Sequence, residues 1–206
     1  MKHSIVKSLA GLALAGSTSL AVAGSLGWTA STIEEVYTNG SLVLGVNFSV
    51  VSTVAVDGLG YFDADQNGFS ADHLVNLYDS AGTLLASATV TSASTLQGLF
   101  RVASIAPLTL GPGDYRVVGA SLSDAYLFGA DIANLVVDPR LSKLGNAYSA
   151  GTSGDFLTAP TYVNDMPWGY FGPNISLGNG GTVPEPTALM LAALGLTGLG
   201  LARRRK

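Results

Sequence analysis

The sequence predicts an all-β protein, an antiparallel β-sandwich flanked by an N-terminal signal helix and a C-terminal hydrophobic helix. Three observations carry this reading. Between about residues 43 and 128 apolar side chains alternate with polar ones in short runs rich in Val, Ser and Thr. Gly, Pro and Asp punctuate those runs at intervals of roughly 8–12 residues, the spacing of strands joined by turns. The two ends differ from this middle, each being a continuous apolar stretch with a basic flank.

The chain of 206 residues opens on Met1-Lys2-His3-Ser4-Ile5-Val6-Lys7, continues with apolar Leu9 to Ala15, and reaches the small residues Ala21-Val22-Ala23. A basic start, a short apolar stretch and an Ala-x-Ala end are the parts of a secretory signal peptide, so residues 1–23 are expected to be cut off after Ala23, with Ala21 and Ala23 as the recognised small residues. Gly11 and Gly16 weaken the competing reading of a buried helix.

Residues 24–182 then form the expected ectodomain. Val43 to Val56 reads as a strand run with Val46, Phe48 and Val50 on one face, resumed by Leu59 to Phe62 after Asp57-Gly58. His73 to Tyr78 and Leu84 to Val90 flank Asp79-Ser80-Ala81-Gly82, a hairpin turn. Leu99 to Ile105, Tyr115 to Ser121 and Ala125 to Phe128 follow, separated by Pro107, by Gly111-Pro112-Gly113-Asp114 and by Ser123-Asp124. Only Asp131 to Leu144 suggests a helical turn. Phe48, Val75, Leu77, Leu84, Phe100, Tyr115 and Val117 are expected to face the interior.

Composition narrows the function. With no cysteine, a disulfide scaffold, a cysteine zinc site and a thiol catalyst are excluded. The ectodomain holds four basic residues, Arg101, Arg116, Arg140 and Lys143, against thirteen acids, a net −9 that the basic ends hide within the whole-chain −4. That surface disfavours nucleic acid and favours cations or neutral glycans.

At the other end stand Val183-Pro184-Glu185-Pro186, the 16 uncharged residues Thr187 to Ala202, and Arg203-Arg204-Arg205-Lys206. As a helix the apolar part would reach about 24 Å, marginal for a bilayer core of about 30 Å, with the cations on the cytoplasmic side. The two prolines hold Glu185 in extended backbone. This end resembles the PEP-CTERM sorting signal of exported bacterial proteins: Pro184, Glu185 and Pro186 as the motif, one apolar helix, and a basic stop at Arg203, Arg204, Arg205 and Lys206. The resemblance implies transient membrane insertion, removal of the tail by the membrane transpeptidase exosortase, and delivery to the cell surface or to an extracellular polysaccharide matrix; a plain membrane anchor is the alternative. The stretch from Gly58 to Ala120, with Phe62-Asp63, His73-Leu74-Val75 and Leu110 to Tyr115, looks like a β-sandwich ectodomain common in such proteins. Trp168-Gly169-Tyr170-Phe171-Gly172-Pro173-Asn174-Ile175 is similar to the Phe-Gly-Pro-Asn-Phe element near its end. The resemblance implies a jelly-roll-like sandwich of unknown function.

Four constellations could carry chemistry. Asp63-Ala64-Asp65-Gln66-Asn67-Gly68 spaces oxygens like the opening of a calcium loop, with Asp63, Asp65, Asn67 and Asp72 as the candidate ligands; Leu74 occupies the place of the closing Glu. The competing reading is a solvated loop between strands. His73, the one histidine of the ectodomain, shares a face with Val75 and Leu77 and is read as a hydrogen-bonded core residue. Trp168 and Tyr170 could stack on sugar rings, or the cluster with Tyr162 and Phe171 could close the core. No Gly-x-Ser-x-Gly or Walker-type motif occurs, and neighbouring Glu34-Glu35 is the one glutamate pair. The expectation is a non-enzymatic exported protein without a required cofactor; a carbohydrate-binding module and an extracellular hydrolase are the rival classes.

Overall fold

The computed structural model describes residues 24–30, 36–38, 40–129, 135–153, 162–164 and 169–178. Among them every element is a strand, and every strand pairing is antiparallel. The signal stretch with Ala21 and Ala23, and the tail with Pro184, Glu185, Pro186 and the basic stop, lie outside the described residues.

Two sheets dominate. In the five-stranded sheet the order is β1 (Ser25–Leu26), β16 (Pro173–Leu177), β5 (Val54–Phe62), β9 (Phe100–Leu110) and β8 (Thr95–Gln97). The six-stranded sheet runs β14 (Tyr162–Asn164), β13 (Leu141–Ala150), β4 (Leu42–Val50), β10 (Gly113–Ala120), β6 (His73–Asp79) and β7 (Leu84–Val90). Smaller ladders join β15 (Gly169–Phe171), β11 (Tyr126–Gly129) and β3 (Val36–Tyr37), and β12 (Leu135–Val137) with β2 (Trp28–Ala30). A single core draws Leu59, Tyr61, Phe100 and Ile175 from the first sheet and Phe48, Val75, Leu77 and Val117 from the second. The alternation read from the sequence is thus the alternation that folds it: each of these residues is at most 2% exposed. Tyr115 is half-buried, its ring stacked on Phe48 at 5.8 Å.

Several expectations are corrected. The run Val43 to Val56 is two strands, because the chain turns at 51–53 to pass from the six-stranded sheet to the five-stranded one. Asp57-Gly58 is no break. It lies inside β5, where the register slips between Val56 and Gly58 against β9. Opposite that slip, β9 has residues to spare between Ser104 and Leu108, so Pro107 falls in a bulge where no ladder N–H is required and the strand runs through it. Leu84 is 52% exposed rather than interior. Its strand pairs Ala86 with Leu77, Ala88 with Val75 and Val90 with His73, all inward; a bulge then seats Leu84 beside outward Tyr78 and reverses its face. Of the helical turn expected within 131–144, residues 131–134 lie outside the described ones and the rest is β12, a turn and the start of β13 instead.

The hairpin between β6 and β7 closes as the sequence indicates. Asp79 Oδ1 accepts from the amides of Ala81 and Thr83 at 2.9 and 2.8 Å, and Gly82 takes a φ of 86° that favours glycine.

A second polar knot fastens the start of the domain. Arg140 donates from Nε and Nη2 to Asp138 at 2.8 and 2.9 Å, while Ser25 Oγ donates to the same carboxylate at 3.0 Å. These hydrogen bonds, the Arg140 pair foremost, hold the Asp138 pKa down at about 2, against an ordinary 3.8. A depressed folded-state pKa adds stability above the unfolded value and loses it as pH falls through the folded one. Acidification from pH 5 to 2 is therefore expected to remove about 1 kcal/mol through this residue, the solvent screening of a partly exposed pair included. Urea melts of wild type and Asp138→Asn across that range check it: the variant should show the smaller loss.

Candidate functional site

One end of the two-sheet body carries a cavity of about 600 Å³, bounded by the β5–β6 loop, the β10–β11 turn and the segment 36–38. Its geometry is set by four buried or half-buried groups. Asp63, 2% exposed, directly follows β5; its Oδ2 accepts from Arg101 Nε at 2.6 Å and from the Gly68 amide at 3.1 Å. Arg101 spends its other donors on the carbonyls of Ser94 and Gln66 at 3.2 and 3.0 Å. The loop therefore folds around an ion pair. Gly68 serves it twice, by a φ of 105° and because a side chain there would meet Ser92 Oγ at 2.7 Å.

Across the cavity stands Asp124. The turn that presents it is tied down by Ser121, whose hydroxyl accepts from the Leu42 amide at 2.9 Å and donates to the Gly40 carbonyl at 3.0 Å, with Leu122 in the left-handed region at φ 52°. Asp124 accepts from the Ser70 amide at 2.9 and 3.0 Å and meets His73 Nε2 at 3.0 Å. His73 is fully buried. Its ring lies flat on Tyr61 at 3.8 Å, meets Phe69 edge-on at 4.6 Å, and places Nδ1 2.8 Å from the Ala120 carbonyl. A carbonyl only accepts, so Nδ1 donates, and Nε2 is the nitrogen that faces the Asp124 carboxylate. Burial, and secondarily the Asp124 charge, push the Tyr61 hydroxyl well above its ordinary range.

The calcium reading fares differently from the histidine one. Asp63 is committed to Arg101, Asp65 is exposed and accepts from Asn67 Nδ2 at 2.6 Å, and Asp72 is exposed without lining the cavity. Among the described residues no three His, Cys, Asp or Glu side chains converge as metal ligands. Asp63, Asp65 and Asn67 line the same cavity and Asp72 does not, while the cation that Asp63 faces is a guanidinium. Trp168 lies outside the described residues. Tyr170 is half-buried, its ring 5.9 Å from Tyr126 and 4.9 Å from Tyr148, while Phe171 turns to the core against Trp28. The role of Asp124 went unread in the sequence; the hydrophobic company of His73 pointed to burial but not to the acid that it meets.

The Phe-Gly-Pro-Asn segment is architectural. A side chain at Gly172 would strike the Tyr61 ring at 2.6–2.8 Å, the Gly172 carbonyl accepts from the Phe62 amide, and buried Asn174 donates to the Trp28 carbonyl at 2.8 Å.

The profile of a domain of unknown function, DUF4082, matches residues 28–165, two-thirds of the chain. The chain belongs to the DUF4082 family. The match covers both cavity walls, whereas β15 and β16 lie beyond it, although β16 sits inside the five-stranded sheet of the DUF4082 domain. A PEP-CTERM protein-sorting motif matches residues 182–206, which marks the chain as an exported protein processed by exosortase, a membrane enzyme. No curated protein and no solved structure matches.

Proposed function

We propose that this chain is a non-enzymatic exported protein whose acidic ectodomain, a jelly-roll-like β-sandwich, acts at the cell surface or within an exopolysaccharide matrix once residues 1–23 and the tail have been removed. The sorting motif at 182–206 carries the reading. The sandwich is supported by the one core that both large sheets share. Absence of catalysis is supported by His73: it is fully buried, and both ring nitrogens already have partners, leaving none to take a proton from a substrate or nucleophile. A net charge of −9 over residues 24–182 suits a neutral glycan matrix better than an anionic partner. Fractionation with and without residues 183–206 tests it. Full-length protein should reach the surface and matrix fractions and the truncated form should not; equal distribution would reject the reading.

A further inference from the structure

The cavity beside Asp124 combines an acidic wall with an apolar one of Val36, Phe62 and Phe69. Asp63, Asp65 and Asp124 line it together with the hydroxyls of Thr38 and Ser123, and no Lys, Arg or His is among its lining residues. Ionised carboxylates only accept hydrogen bonds, so a molecule seated here must bring donors and carry no negative charge. Asp63 is paired with the Arg101 guanidinium and Asp124 with the His73 ring, while exposed Asp65 accepts from the neutral Asn67 amide. That balance favours a neutral donor-rich ligand over a strongly cationic one.

The same contacts hold the walls in place. Asp63 is fixed by Arg101 and the Gly68 amide, and Asp124 by the Ser70 amide and His73, so binding would order few side chains. Half-buried Phe69, held edge-on by Tyr61 and His73, adds an apolar wall suited to the C–H face of a ring. A volume of about 600 Å³ lies in the range of small-molecule sites, roughly 300–1,000 Å³.

We propose that this cavity binds a non-anionic, hydroxyl-rich saccharide unit, its hydroxyls donating to Asp65 and Asp124 and its apolar face resting on Phe69. The inference deepens the matrix reading above and names the site by which the ectodomain would hold polysaccharide. It differs in place from the Trp168 and Tyr170 cluster.

The test is titration of the full-length chain in detergent with methyl β-glucopyranoside, methyl α-galactopyranoside and N-acetylglucosamine, with galacturonate as the anionic comparison, followed by saturation-transfer NMR. At least one neutral sugar should bind saturably in the millimolar range. Asp65→Ala and Ser123→Ala should each weaken it at least fivefold, Asp72→Ala, in the same loop but off the cavity, should leave it unchanged, and galacturonate should bind at least tenfold more weakly. All three sites are exposed, so folding is not at stake, and a thermal melt of each variant verifies that. No saturable binding up to 50 mM, equal affinity in Asp65→Ala, or galacturonate binding as well as the neutral sugars would overturn the site. Matrix retention is scored separately. Sugar binding in a protein that never enters the matrix would reject the matrix reading and keep the site, whereas matrix retention without sugar binding would do the reverse.

Discussion

Replacing Arg101 with alanine is expected to destabilise the DUF4082 domain by about 3–5 kcal/mol, because it strands Asp63 as a buried charge without its counterion. Asp63 and Arg101 side chains are 1% and 13% exposed, so water cannot replace the lost partner at the carboxylate. Arg101 also ties the β5–β6 loop to the carbonyls of Ser94 and Gln66, and those contacts vanish together. For a domain of this size the melting temperature should fall by roughly 6–20 °C. Removing both charges, in Asp63→Asn with Arg101→Met, should recover much of the loss, since the cost lies in the unpaired ion more than in the missing bridge. A melting temperature within about 2 °C of wild type in the single variant would contradict this assignment.

His73→Leu comes next, at about 2–4 kcal/mol. The substitution removes the donor to the buried Ala120 carbonyl, a partner of Asp124, and the ring on which Tyr61 lies at 3.8 Å. His73→Phe keeps a ring against Tyr61 and should recover part of the loss, while leaving the same two acceptors short of a donor. Denaturant melts of the three proteins separate these terms. Were His73→Leu as stable as wild type, the histidine would have to be held for something other than the fold.

The strand content was legible because the face of each large sheet turned to the shared core is apolar at every second residue, as in Val46, Phe48 and Val50 or Val75 and Leu77, and because turn chemistry at Asp79 to Gly82 is local. What failed was everything that depends on a partner strand. Leu84 obeys the inward alternation of Ala86, Ala88 and Val90 until a bulge reverses it, and bulges are written in the register between two strands, not in either one. Pro107 likewise looked like a terminator until β5 supplied the slip that accommodates it. The side-chain pairings of the candidate site were hidden for the same reason. Asp63 meets Arg101, 38 residues away in sequence, and Asp124 meets His73 at a separation of 51, distances that a local motif cannot report. The sorting signal, by contrast, is a linear address read by another protein in order, and Pro184-Glu185-Pro186 with its apolar and basic followers was recognisable without any fold.

Export and processing are the centre of this account, and intact mass of the protein released from the cell surface tests them most directly. The account predicts a species that has lost both residues 1–23 and the apolar, basic tail after the Pro-Glu-Pro motif, with Glu185→Ala retaining that tail in the membrane. Recovery from the surface or the medium of a chain that still ends at Lys206 would contradict it.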